Sequence, residues 1–278
     1  MKNKSFAILI ISHKRADTQL TYETFKKAGY TGEIYIVVDD EDPQLEDYKR
    51  KYGDIIKVFS KDEMLEITET VDNFRNKTNC VLPSMYLKKF AEENNLEFYM
   101  RVDDDILSVR ERYVEDGLFK GKDVENLDKV IDLFIEYMRK ANISCLSFGN
   151  DGGYIGGANG KFRNGMGRNN NQTFIMKTAD KLEFIGTRAE DFNMVATYSK
   201  IGKLIYEVYK ISIGSPERGS NEGGLKEDYE QSGFYTANFY SVIVAPYCCK
   251  IGMRNGKITL KRKWDRFAPM VISEVYKK

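Results

Sequence analysis

The chain has 278 residues, 42% hydrophobic and 31% charged, with a net charge of +1. That length and balance suit one large globular domain with a full core, not a disordered or fibrous chain. No apolar run nears the roughly 18 residues of a membrane-spanning helix, Ser5 to Ser12 is too short for a secretory leader, and a single histidine, His13, argues against a histidine-built zinc site or a Ser-His-Asp triad.

Phe6 to Ile11 is a continuous apolar run of strand length, as expected of a strand buried on both faces. Thr18 to Ala28 then predicts a helix stopped by Gly29. Ile34 to Val38 predicts a second strand, ending in Asp39-Asp40-Glu41-Asp42-Pro43. Leu45 to Tyr52 predicts a short helix and Ile55 to Phe59 a third strand. The spacing of Leu82, Met85, Tyr86 and Phe90 is helical, and Leu96 to Val102 is a fourth strand running into Asp103-Asp104-Asp105. Val124 to Lys140 carries the clearest apolar stripe of the chain.

Cys145 to Phe148 and Thr173 to Met176 are short strand candidates on either side of Gly149 to Asn171, a segment rich in glycine and asparagine that predicts a mobile loop. Arg188 to Asp191 leads into a helix to about Lys200. Strand Ile205 to Ile211, a second loop Ser215 to Glu227 and strand Tyr240 to Ala245 complete the body. Strands alternating with helices imply an α/β fold with a mostly parallel, doubly wound sheet and helices on both faces. The four cysteines show no metal spacing and read as buried thiols.

From Lys250 onward the charge is +7, leaving −6 for residues 1–249. We expect a single domain, with residues 1–249 as its body and 250–278 as a basic extension packed on it. Lys250, Arg254, Lys257, Lys261, Arg262, Lys263, Trp264 and Arg266 are the candidates for nucleic-acid contact; a solvated basic face is the simpler reading of the same residues.

Three adjacent carboxylates at a strand end repel unless a cation compensates them, and the carboxyl ends of strands are where open α/β sheets bind ligands. Oxygen ligands favour a hard cation, Mn²⁺ or Mg²⁺, and such a cation favours a diphosphate. Asp103 and Asp105 are placed to hold it, with Asp104 facing the other way; the plainer reading is a solvated acidic turn. Glu190-Asp191, at a helix start, is either a general base with its neighbour or simple capping.

The order ISHKR, VVDD, RVDDD and RAEDF resembles the GT-A glycosyltransferase fold over roughly residues 5–200. Within that fold the chain is similar to bacteriophage DNA-base glycosyltransferases of the TET-associated type. The resemblance implies transfer from a UDP-sugar to a 5-hydroxymethylpyrimidine in double-stranded DNA, in the cytoplasm of a host cell, with no membrane and no obligate protein partner. It further implies donor contacts from Ser12, Lys14, Arg15, Asp39, Arg75, Lys77, Asp103 and Asp104, metal contacts from Asp103 and Asp105, and Asp191 or Glu190 as base. The late histidine that many GT-A enzymes use as a third metal ligand has no counterpart here. A glycan, lipid or protein acceptor, a nucleotidyltransferase, and an inactive DNA-binding module stand as alternatives.

Overall fold

The computed structural model describes residues 5–151, 166–167, 172–216, 235–254, 256–263 and 266–267. The first apolar run forms β1 (Phe6–Ile11), which lies parallel between β2 (Glu33–Asp39) and β4 (Phe98–Asp103), with β3 (Ile56–Phe59) beyond β2. Helices α1 (Thr21–Lys27), α2 (Leu45–Tyr52), α3 (Lys61–Ile67) and α4 (Val81–Glu93) fill connections in this half, and α5 (Leu127–Ala141), from later in the chain, packs against it. Phe6, Ile8 and Ile10 pack into one core with Phe25, Tyr48, Ile131 and Ile135; Ala7 and Leu9 pack into another with Met64, Leu82 and Leu87. Each face of β1 is thus covered by helices, which is why its sequence is apolar without alternation.

The sheet continues from β4 through β9 (Thr173–Lys177), β7 (Cys145–Asn150) and β10 (Ile205–Gly214) to the hairpin β5 (Ser108–Glu115) and β6 (Leu118–Asp123), giving the order β3-β2-β1-β4-β9-β7-β10-β5-β6. The short β8 (Met166–Gly167) pairs with β10. β9 enters antiparallel between β4 and β7, so the parallel order is interrupted once near its centre. The β5–β6 hairpin is not among the predicted elements, although Asp116-Gly117 carries its signal: both have positive φ (52° and 73°), as a two-residue hairpin turn demands.

Gly29 ends α1 at φ 82°, and a Cβ there would collide with the Glu125 carbonyl oxygen, so the predicted glycine stop is doubly required. One predicted strand is wrong. Tyr240 to Ala245, all but its last residue, lies in helix α7 (Thr236–Val244), which follows α6 (Glu190–Lys200) in the described chain. Short apolar runs do not distinguish a strand from a buried helix turn, and here Ser241 faces the core while Phe239 and Ile243 face outward.

The basic segment is itself ordered as a hairpin, β11 (Cys249–Arg254) with β12 (Lys257–Arg262), separate from the main sheet. The expected boundary after residue 249 therefore falls within β11. Phe267 is fully buried, its ring 5.4 Å from that of Phe192 on α6. Most of the two predicted loops lies outside the described residues, as does Trp264. Cys145, Cys248 and Cys249 are buried free thiols and Cys80 is half-buried. Among the described residues no helix is long and apolar enough to cross a membrane.

Candidate active site

The carboxyl ends of β1, β2 and β4 open on one crevice, and three groups of polar side chains converge there. At the end of β2, Asp39 accepts from Lys61 Nζ and from His13 Nδ1, each at 2.7 Å, and Asp42 lies 3.1 Å from the same His13 nitrogen. The two carboxylates hold His13 up to about 9 despite burial, while His13 and Lys61 draw Asp39 down to about 2. A histidine charged at neutral pH donates and cannot ligate, and it and Lys61 already engage the carboxylates, although His13, Asp39 and Asp42 are the one group of three ligand-type residues close enough among the described residues. Lys14, at φ 55°, donates its N–H to Asp42 at 2.7 Å.

The charged histidine has a measurable consequence. Its raised pKa stabilises the fold fully below pH 6.5, and that stability is lost as pH rises through about 9. His13→Asn should lower stability by about 2 kcal/mol near pH 6, after allowing for partial exposure, and by little near pH 10. Urea unfolding at the two pH values measures this; an equal loss at both would mean His13 acts only through packing.

Lys77 joins this group through Glu41 (2.7 Å) and Asp62 (2.9 Å). Arg75 does not: it pairs with Glu66 on α3 and is 62% exposed.

Asp104 lies in the turn just after β4 and is buried. It accepts from Ser12 Oγ at 2.6 Å and pairs with Arg15, while Ser12 Oγ also meets Tyr48 OH at 2.6 Å. Ser12 and Asp104 thus lie beneath the crevice and bear on it through Arg15, whose guanidinium is also 3.7 Å from Asp105.

The third group joins β4 to α6. Arg101 Nη2 lies 3.4 Å from Asp103 Oδ1 and 3.3 Å from Glu190 Oε1. Burial, with the Asp105 and Asp191 carboxylates, pushes Asp103 up to about 6 against the pull of Arg101. Burial and Asp191 likewise push Glu190 above the ordinary carboxylate range. Asp191 accepts from the Phe192 N–H at 2.6 Å, so it meets part of the capping role expected at a helix start.

The entry to α6 is held in place: Ala189 sits at φ 52°, unusual for a residue with a Cβ, and the buried Asn193 amide donates to the Ile185 (2.9 Å) and Arg188 (3.2 Å) carbonyls. Beside Asp103, Gln172 accepts the Asp103 N–H at its carbonyl (3.2 Å), and its side-chain amide meets Asn150 (2.6 Å) and Ser215 (3.1 Å).

Arg101 and Gln172 contact Asp103, and Asn150 contacts Gln172, and none of the three is among the residues the sequence reading singled out. Only Arg101 left a signal, an arginine within an otherwise apolar buried strand, where a charge needs partners.

The carboxylates suit a hard divalent ion. Asp103 and Asp105 are oxygen donors at one strand end, and burial with the neighbouring Asp105 and Asp191 carboxylates raises Asp103 against the pull of Arg101.

Lys250, Arg254, Lys257, Lys261, Arg262, Lys263 and Arg266 are exposed. Lys250 faces Lys261 and Arg254 faces Lys257 across the hairpin. Arg262 also stacks over Phe192, with 4.6 Å between guanidinium and ring centre, one residue after Asp191.

A family model described as TET-Associated Glycosyltransferase matches residues 6–224. No curated protein matches by sequence. Among solved structures, the chain is similar to S. aureus TarS 1-349, with TM-score 0.46 and 15% identity over 86% of this chain and 64% of that one. It is similar to glucosyl-3-phosphoglycerate synthase from Mycobacterium tuberculosis in complex with Mg²⁺ and UDP, with TM-score 0.46 and 10% identity over 93% and 87%. It is also similar to GalNAc-T7 with UDP, GalNAc and Mn²⁺, with TM-score 0.45 and 13% identity over 79% and 46%. This chain thus spans less than two thirds of the TarS structure.

Proposed function

The chain belongs to the TET-associated glycosyltransferase family, and from that premise we propose that it moves a sugar from a UDP-sugar to the 5-hydroxymethyl group of a pyrimidine in double-stranded DNA. The supporting observation is a juxtaposition: the hairpin that carries the basic charge touches α6 through Arg262 and Phe192, the residue that follows Asp191 in the chain. Like charges directly opposed across a hairpin oppose its stability, and a polyanion bound there removes that repulsion. Family membership sets aside the nucleotidyltransferase and the inactive module. A glycan, lipid or protein acceptor would leave the hairpin's charge without a role.

In this reading Asp191 takes the proton of the acceptor hydroxyl. Glu190 is less suited, being buried, tied to Arg101 and raised in pKa. Asp103 and Asp105 would hold Mn²⁺ or Mg²⁺, which supplies neutralisation of the leaving diphosphate. Asp39, Lys77, Lys14 and Arg15 line the nucleotide side, and Arg75 approaches only from its exposed loop. Residues 1–249 form the catalytic body and 250–278 its basic extension, acting with the DNA in the cytoplasm.

The test is UDP release and mass gain on duplex DNA containing 5-hydroxymethylcytosine, compared with unmodified duplex. Turnover on a glycan but on neither duplex would replace the acceptor. Deleting residues 250–278 is a poor probe, because it removes buried Phe267. Replacing exposed Lys250, Lys257 and Lys261 by Gln is better. The triple variant should keep its melting temperature, bind duplex about tenfold more weakly at low salt, and lower the slope of log affinity against log salt by about 2 to 3. An unchanged slope in gel-shift titrations would remove the hairpin from the DNA interface.

A further inference from the structure

We infer that Arg101 is a positioning residue for the transfer: one buried guanidinium holds Asp103, on the donor side, and Glu190, on the acceptor side, in a fixed relation. The inference rests on the reading of those two carboxylates given above and names the group that couples them. Arg101 rises from β4 with its side chain 3% exposed. Its Nη2 is 3.4 Å from Asp103 and 3.3 Å from Glu190, and its Nε donates to Ser84 Oγ on α4 at 3.3 Å. The guanidinium centre lies 5.2 Å from the Phe174 ring and 5.3 Å from the Phe184 ring, and the two rings stand perpendicular to each other.

Five elements or segments therefore converge on one planar cation: β4, α4, α6, β9 and the segment after β9. Burying a guanidinium carries a desolvation penalty that well-packed apolar side chains avoid. The surroundings of Arg101 on its own face, Tyr99, Phe174 and Phe184, belong to an apolar core that would accept an apolar side chain in its place. The charge is explained by what it holds. A rigid fork with aromatic contacts leaves Asp103 and Glu190 little freedom to move apart, and displacements of about 1 Å in a reacting geometry cost about 10²-fold in rate. A lysine would keep the charge without the fork.

The test is a double-mutant cycle of Arg101→Lys with Glu190→Gln, measuring kcat, donor KM, and UDP affinity with Mn²⁺ by calorimetry. Arg101→Lys should stay folded, keep UDP affinity within about threefold and lose about 30-fold in kcat. In the Glu190→Gln background the same change should cost less than about threefold, because the partner is already gone. Unchanged kcat in Arg101→Lys, or additive losses, would overturn the inference and leave Arg101 a packing residue.

Phe184→Leu is a second route if Arg101→Lys does not fold. It loosens the stack while keeping the cation, and should lower kcat with donor KM unchanged; unaltered kcat counts against the inference. A wild-type chain that transfers no sugar would overturn the proposed function instead. The clamp is then read from urea unfolding of the same cycle, where a coupling of about tenfold in the unfolding constant supports it and additivity refutes it.

Discussion

Asp103→Asn is expected to lower turnover by on the order of 10³-fold while leaving the fold at least as stable as the native one. Asparagine keeps the shape of the side chain and removes its charge. The loss follows from the role proposed for Asp103: it would supply a negative oxygen to a divalent cation, and a neutral amide binds a hard cation poorly. The stability half of the result comes from the same residue's pKa. Burial raises Asp103 to about 6, so the folded state prefers the protonated form. Its contribution to stability falls as pH climbs from the ordinary carboxylate value through about 6. Asparagine escapes that penalty, so the variant should melt at or above the native temperature near pH 8 and show no advantage near pH 4. Thermal shifts with UDP and Mn²⁺ complete the test: the native chain should be stabilised and the variant should not. An Asp103→Asn protein that still responds to UDP with Mn²⁺ and still turns over would remove the acidic corner from the chemistry.

The second large effect concerns the acceptor side. Asp191→Asn should lower kcat by about 10²- to 10⁴-fold, the range for loss of a general base, with UDP affinity unchanged because the proposed role of Asp191 is on the acceptor side. It should retain its helix, since the amide oxygen can still accept from the Phe192 N–H. Glu190→Gln should behave differently. Burial and Asp191 favour its protonated form in the folded protein, so its contribution to stability is lost as pH rises out of the ordinary carboxylate range towards neutrality. Glutamine should therefore raise the melting temperature near pH 8, and its kcat should fall by only about tenfold through the loosened Arg101 contact. Steady-state kinetics of the two variants side by side decide the assignment. If Glu190→Gln carries the greater loss and Asp191→Asn the lesser, the base is Glu190.

Family membership and the crevice reinforce each other because they concern different scales. The match over residues 6–224 says what kind of reaction the chain performs. The hairpin beyond that span, stacked on α6 through Arg262 and Phe192, is what the proposed DNA acceptor rests on.

The sequence by itself determined the alternation of strands and helices, the end of β1 at Ser12, the acidic terminus of β4 and the start of α6 at Glu190, since apolar periodicity and glycine punctuation are local properties. It also contained the opposed charges of body and tail. It did not determine that Tyr240 to Val244 winds as a helix, because a short, mostly apolar run fits either period until packing selects one. The partners across the crevice were beyond it for a different reason. Ser12 meets Asp104, Arg101 meets Glu190 and Arg262 meets Phe192 across separations of about ninety, ninety and seventy residues. Only the closure of two cores on opposite faces of one sheet brings such distant side chains within reach, and burial there makes each unpartnered charge too costly to leave alone.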